Sequence, residues 1–247
     1  MPYADSGAMV LERTDDTLHR LNSELRLASA QTILRASILR EWGGRVTYVS
    51  SFGAESAVML ALIADVQPDL PIVFLETGMH FPQTLSYKKA LIDTLGLTNV
   101  LDIPPNETER AVLDPKNTLW KTDPDACCAL RKVRPLEPAL EGFDAWITGR
   151  KRFHGGERMA LPVFEHAGDR FKVNPLASWT QDDVTRFFKQ RNLPAHPLVA
   201  QGYPSIGCWP CTQPASDPGD IRSGRWSGRD KTECGLHVEK AERPRVF

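Results

Sequence analysis

Five cysteines carry most of the chemical information in this chain: Cys127 and Cys128 side by side, Cys208 and Cys211 as a C-x-x-C, and Cys234 alone. Four thiols in two pairs match the ligand count of a four-coordinate metal or an iron–sulfur site, and the fifth is left for chemistry. Adjacent helical positions diverge by about 100°. Cys127 and Cys128 therefore reach one small ion with difficulty and suit a larger cluster better, although zinc and cluster both stay open on the residues alone. Lys132, one turn beyond Cys128, puts a cation beside the sulfurs and beside any anionic ligand. A thiol attacks only as thiolate, and nearby cations lower its pKa from about 8.5. Lys231, His237, Arg222, Arg225 and Arg229 supply such neighbours for Cys234, and Gly235 leaves the backbone beside the sulfur uncrowded.

Two further stretches point to an anionic ligand. Ser51-Phe52-Gly53-Ala54-Glu55-Ser56 sits where a strand hands over to a helix. The unpaired N–H groups and positive dipole end of such a helix attract phosphate, Gly53 admits the anion, and Ser51 and Ser56 add hydroxyl donors. Arg150, Lys151, Arg152, His154 and Arg158, with Gly155 and Gly156, form a basic loop that reads as a mobile lid over the ligand.

The elements that position these residues follow from periodicity. A helical segment over 14–42 stops at Gly43-Gly44. Short β-rich runs at 45–50, 71–75, 100–103 and 145–148 alternate with helical patterns near 54–65, 81–95 and 124–141. Such alternation means βαβ units and a twisted, mostly parallel sheet covered on both faces. Thr180 to Asp183 reads as a capping box opening one more helix. Beyond Leu193 the chain is dense in Pro and Gly and cannot build its own core. The expected organisation is an N-terminal helical segment at 1–44, a nucleotide-binding α/β domain at 45–200, and a mobile C-terminal segment at 201–247 with the C-x-x-C and Cys234.

Composition narrows the function classes. The 247 residues carry 30 basic and 31 acidic side chains and are 41% hydrophobic, which excludes disorder for most of the chain. Near-neutral charge argues against gripping nucleic acid by counterion release. The longest apolar run, at 57–64, is far short of the ~20 residues a bilayer requires, and the start shows no secretory signal. These readings lead to the expectation of a soluble cytoplasmic enzyme with no membrane partner.

Taken together, the motifs resemble the assimilatory sulfonucleotide reductases, in particular the thioredoxin-dependent adenylyl-sulfate (APS) reductases. The resemblance spans about residues 50–237 and rests on the 51–56 motif, Leu75-Glu76-Thr77-Gly78, Cys127-Cys128, Gly149-Arg150-Lys151-Arg152, Cys208-Trp209-Pro210-Cys211 and Glu233-Cys234-Gly235-Leu236-His237. It implies an adenine-nucleotide α-hydrolase-like (PP-loop) sheet. Phe52 breaks the S-G-G-x-D-S pattern of the related ATP pyrophosphatases, which implies a loop that holds a nucleotide without cleaving ATP. It also implies one [4Fe–4S] cluster per subunit on Cys127, Cys128, Cys208 and Cys211. APS is then the substrate rather than its 3′-phosphorylated form, PAPS. Ser51, Gly53, Ser56, Glu76, Lys132, Arg150, Arg222, Arg225 and His237 would bind it, and Cys234 would be the catalytic nucleophile. Glu76 replaces the usual aspartate and Gln213 a usual basic residue. The products are sulfite and AMP. With no thioredoxin-like domain after the tail, thioredoxin is expected from outside. The residues at 1–42 have packing and subunit contact, hence a homo-oligomer, as their expected roles. Less favoured readings are a PAPS reductase, a PP-loop enzyme of tRNA thiolation, and a zinc-stapled nucleotide-binding module.

Overall fold

The computed structural model describes residues 6–217, 219–229 and 231–237. The last ten residues of the expected C-terminal segment, 238–247, lie outside the described residues.

Short, continuous apolar runs make strands that are buried on both faces, as parallel sheets require. β1 (Val46–Ser50), β2 (Ile72–Leu75), β3 (Val100–Ile103) and β4 (Ala145–Ile147) are joined by β5 (Phe164–Ala167) and β6 (Arg170–Val173). They form one sheet in the order β3-β2-β1-β4-β6-β5, parallel except for the antiparallel edge strand β5. The β5–β6 hairpin was not among the expected elements.

Alternate residues of each strand face opposite ways, and two apolar clusters follow. One gathers Val46, Tyr48, Ile72, Phe74, Ala145 and Ile147 with the helices α1 (Ser6–Leu25), α2 (Ala30–Arg35), α3 (Ser56–Ala64), α4 (Pro82–Leu95) and, further along the chain, 181–190. The other joins Val73, Leu75 and Trp146 to Leu136 and Leu140. Helices thus cover both faces. α3 is apolar all round and is buried along most of its length, as such a helix must be.

The single helix expected at 14–42 is broken. Ser29 caps α2 by accepting from the Thr32 N–H at 3.1 Å, and a π-helical turn, Ala36–Glu41, follows. This segment shares the main core. Asn22 bonds both backbone groups of Phe164, at 2.9 and 3.2 Å, and so covers the open edge of β5.

Between β3 and β4 run α5 (Glu107–Leu113), α6 (Leu119–Thr122), α7 (Pro124–Cys128) and α8 (Arg134–Ala139). The helix expected at 124–141 is interrupted by a π-helical stretch, Ala129–Val133, between α7 and α8. α9 (Gln181–Gln190) opens with the expected capping box between Thr180 and Asp183. Among the described residues no helix is long and apolar enough to cross a membrane.

Candidate active site

β2 and β3 lie on one side of β1 and β4 lies on the other, so the chain reverses its winding between β1 and β4. In an open parallel sheet the ligand crevice forms at the carboxyl ends of the strands at that reversal. A cleft of about 1260 Å³, its open mouth included, lies at this place.

The loop between β1 and α3 forms its floor. Phe52 has φ +46° and is fully buried, edge-on to Phe74 at 5.4 Å. A left-handed φ costs a non-glycine residue about 1–2 kcal/mol, and apolar burial offsets it. The position where ATP pyrophosphatases carry glycine thus still demands a positive φ. Gly53 is needed for a different reason: a Cβ there would stand 3.1 Å from the Ile206 carbonyl, where the C-terminal segment crosses the loop. Ser51, Gly53 and Ser56 all line the cleft.

The basic loop after β4 is an inner wall, not the surface lid that its composition suggested. Arg150 and Lys151 are buried. Arg150 pairs with Glu165 and Lys151 donates to Glu55 at 2.8 Å. His154 Nε2 faces the same Glu55 oxygen at 3.0 Å, while Arg158 Nη1 donates to His154 Nδ1 at 3.0 Å. A guanidinium can only donate, so His154 is neutral at Nδ1 and carries its proton on Nε2. Burial favours Glu55 in its protonated form, but His154 and Lys151 outweigh burial and hold its carboxyl down at about 2.

Cys234 lines the same cleft, together with Lys132, Arg150, Arg222, Arg225 and His237. The charges of Lys132, Arg150 and Arg222 each interact with the Cys234 sulfur. Burial pulls Arg150 and Arg222 down to about 10, still cationic at neutral pH. His237 departs from the cation expected of it. It stacks on Trp146 at 5.7 Å, and burial with the surrounding Arg150, Lys172, Arg158 and Arg222 holds its pKa well below the usual value. It is a neutral imidazole with a buried Nδ1 that has no hydrogen-bond partner among the described residues.

A second, smaller cavity adjoins the first. Cys127, Cys128, Cys208 and Cys211 all line it, and Lys132, Arg225 and Trp226 line both cavities. Thr77 ties the two cysteine pairs together. Its hydroxyl contacts Cys208 Sγ at 3.4 Å, and its carbonyl accepts from Arg131 Nη1 at 2.7 Å. Arg131 stands in the π-helical stretch after Cys128 and is buried with Asp114 as an ion pair of 2.8 Å. Glu76, in contrast, does not line the cleft. Its carboxylate accepts the Gly78 N–H at 2.9 Å, shaping the turn that carries Thr77, and its charge acts on His80, which does line the cleft.

Among the described residues no three or more His, Cys, Asp or Glu side chains are gathered tightly enough to hold one metal ion. Burial pushes Cys127 up to about 11 and Cys128 up to about 12, so neither ionises unaided at neutral pH. Four thiols lining one cavity match the ligand count of an iron–sulfur cluster.

Sequence reading also passed over residues that the cleft brings together. Glu55 and Glu233 stood inside quoted motifs without a role, Arg158 was read only as part of the lid, and Trp146, Thr148 and Trp226 carried none. Only Trp146 offered a signal, as a bulky aromatic at the carboxyl end of a strand.

Comparison with known proteins bears on the same segments. The phosphoadenosine phosphosulfate reductase domain matches residues 45–214. The adenosine 5′-phosphosulfate reductase of Mesorhizobium japonicum is 49% identical over 210 residues, 85% of this chain and 83% of that protein. That of Geobacillus kaustophilus is 45% identical over 203 residues, 81% and 86% of the two chains. Among solved structures, the phosphoadenylyl-sulfate reductase of Candida auris in its phosphate complex superposes with a TM-score of 0.68 at 26% identity, over 86% of this chain and 100% of that one. Candida glabrata FMN adenylyltransferase shares the fold alone, with a TM-score of 0.53 at 16% identity, over 81% and 72%. Sheet order, anion loop and the extent of these matches agree: this chain belongs to the phosphoadenosine phosphosulfate reductase family.

Proposed function

We propose that this chain is an oxidoreductase of sulfate assimilation that reduces adenylyl sulfate to sulfite and AMP. The observation that carries the reading is the meeting of Cys234 with the anion loop and with Lys132 and Arg225 in one cleft. Among the described residues these two cations have no carboxylate partner. The similar relatives named adenosine 5′-phosphosulfate reductases support the choice of nucleotide.

In this mechanism the adenosine and phosphate rest on the 51–56 loop, and Lys132, Arg222 and Arg225 face the sulfate. His237 contributes a hydrogen-bonding ring and no charge. Cys234 thiolate attacks the sulfate sulfur, the sulfur–oxygen bond to phosphate breaks, and AMP leaves with that electron pair. The product on the enzyme is a cysteine S-sulfonate. Thiolate and sulfate repel one another, so the cations must screen the approach and stabilise the charge that develops on the leaving phosphate. A thiolate of external thioredoxin then attacks the Cys234 sulfur and releases sulfite. Its second thiol resolves the mixed disulfide. A reducing compartment such as the cytoplasm returns Cys234 to a free thiol between turnovers.

Cys127, Cys128, Cys208 and Cys211 would hold one [4Fe–4S] cluster. Bound there, it supplies charge next to Lys132 at the cleft wall. Protein purified without oxygen should be brown with iron and sulfide present, whereas a colourless protein with stoichiometric zinc would contradict the assignment. For the reaction itself, incubation with adenylyl sulfate and no reductant should add the mass of one SO₃ to the wild type and nothing to Cys234→Ser. Unchanged wild-type mass refutes the mechanism.

A further inference from the structure

We propose that Arg158 and Glu233 form a latch that seats Cys234 at the cleft and opens to let an outside reductant reach the sulfur. Glu233 is the residue before the nucleophile. Its carboxylate takes a fork of two hydrogen bonds from Arg158, at 2.7 and 2.9 Å, and Arg222 shares it at 3.4 Å. The Arg158 and Glu233 side chains are only 11% and 13% exposed, so water screens the pair weakly. Bidentate, charge-assisted pairs of this kind fix geometry as well as add energy.

The latch does not end at Arg158. The same guanidinium donates to His154, and His154 donates to Glu55 within the anion loop. One polar chain therefore runs from the loop expected to hold the nucleotide to the residue beside the thiol. Among the described residues, the other side-chain ties of this stretch, Lys231 to Asp125 and Arg222 to the Thr232 carbonyl, precede the fork in sequence. Both Arg158 and Glu233 are positioning residues. The need to open rests on the function proposed above; the latch itself does not.

The test follows alkylation of Cys234 by iodoacetamide in the purified, cluster-loaded protein without nucleotide, read residue by residue by peptide mass spectrometry. The variants are Glu233→Gln, Arg158→Gln and the double. Each single variant should raise the Cys234 rate roughly tenfold, the scale of one charge-assisted hydrogen bond, and the double should add nothing further. Electrostatics alone predicts opposite signs, because losing the carboxylate favours the thiolate and losing the guanidinium disfavours it. Opposite signs, or independent additive effects in the double, overturn the latch. So does a parallel rise at buried Cys128, which in the cluster-loaded protein reports cluster loss and general loosening. The probe requires no nucleotide, so the latch and the proposed reaction can fail separately.

Discussion

Replacing Glu55 by glutamine should lower the melting temperature sharply, for reasons that can be worked from the structure. One oxygen of Glu55 takes Lys151 at 2.8 Å and His154 at 3.0 Å, and Lys151 is buried. Moving this carboxyl from 4.5 down to about 2 corresponds to about 3 kcal/mol of stability at neutral pH. An amide cannot balance the ammonium, and a buried charge left alone costs about 3–5 kcal/mol. At about 2–4 °C per kcal/mol for a chain of this size, the expected fall is about 6–20 °C. The sign with pH is also determined. A depressed carboxyl stabilises the folded state above its unfolded value of 4.5, and that contribution disappears as pH falls through about 2. In Glu55→Gln, by contrast, Lys151 is uncompensated, its folded pKa lies below its unfolded one, and the variant recovers stability as pH rises toward the lysine range. Calorimetry on wild type, Glu55→Gln and Glu55→Gln/Lys151→Met measures all of this, with the double expected to regain most of the loss. A single variant within about 2 °C of wild type, or a double worse than the single, would refute the reasoning.

Other predictions follow from the same geometry. Lys132→Gln should lower kcat/KM for adenylyl sulfate roughly a hundredfold, since one cation facing an anion at an effective dielectric of about 20 contributes about 3 kcal/mol; a loss below fivefold in steady-state assays would exclude that role. Gly207→Ala places a Cβ against the Arg225 guanidinium, a movable side chain, and should raise KM with the melting temperature nearly unchanged. Gly224→Ala drives a Cβ into the Gln213 backbone carbonyl, which cannot yield, and should cost stability instead. Adenylyl sulfate should exceed its 3′-phosphorylated analogue in kcat/KM, and the reverse order would show that the cleft is matched to the more highly charged nucleotide.

What the sequence disclosed depended on how local the signal was. β1 and β2 announce themselves because Val46-Thr47-Tyr48-Val49 and Ile72-Val73-Phe74-Leu75 need both faces buried. The β5–β6 hairpin has no clear apolar pattern because Glu165, His166, Asp169 and Arg170 interrupt it. Glu165, only partly buried, is nonetheless the partner of Arg150. The π-helical stretches left no pattern, since their bonding register is set by what packs around them. The cysteine pairs and the anion loop were legible because their chemistry demands particular residue types at short spacing. Glu55 and Glu233 stood in quoted motifs, yet their partners lie 96 and 75 residues away, and no local pattern marks such an ion pair.

That partnering changes what the cations of the cleft can do. Lys132, Arg150, Lys151, Arg158, Arg222 and Arg225 line it, and on sequence alone all six look available to an anion. Arg150 is taken by Glu165, Lys151 by Glu55 and Arg158 by Glu233, so half of the positive charge is already balanced within the fold. The surplus amounts to three charges. Adenylyl sulfate brings one negative charge on its phosphate and one on its sulfate, and a Cys234 thiolate brings one more. Nucleotide and nucleophile together thus neutralise the surplus, which offsets the repulsion between them when water is excluded. A 3′-phosphate would add negative charge beyond this surplus. The internal carboxylates therefore do more than hold the basic wall in place: by consuming half of its charge they set how much anion the cleft accepts.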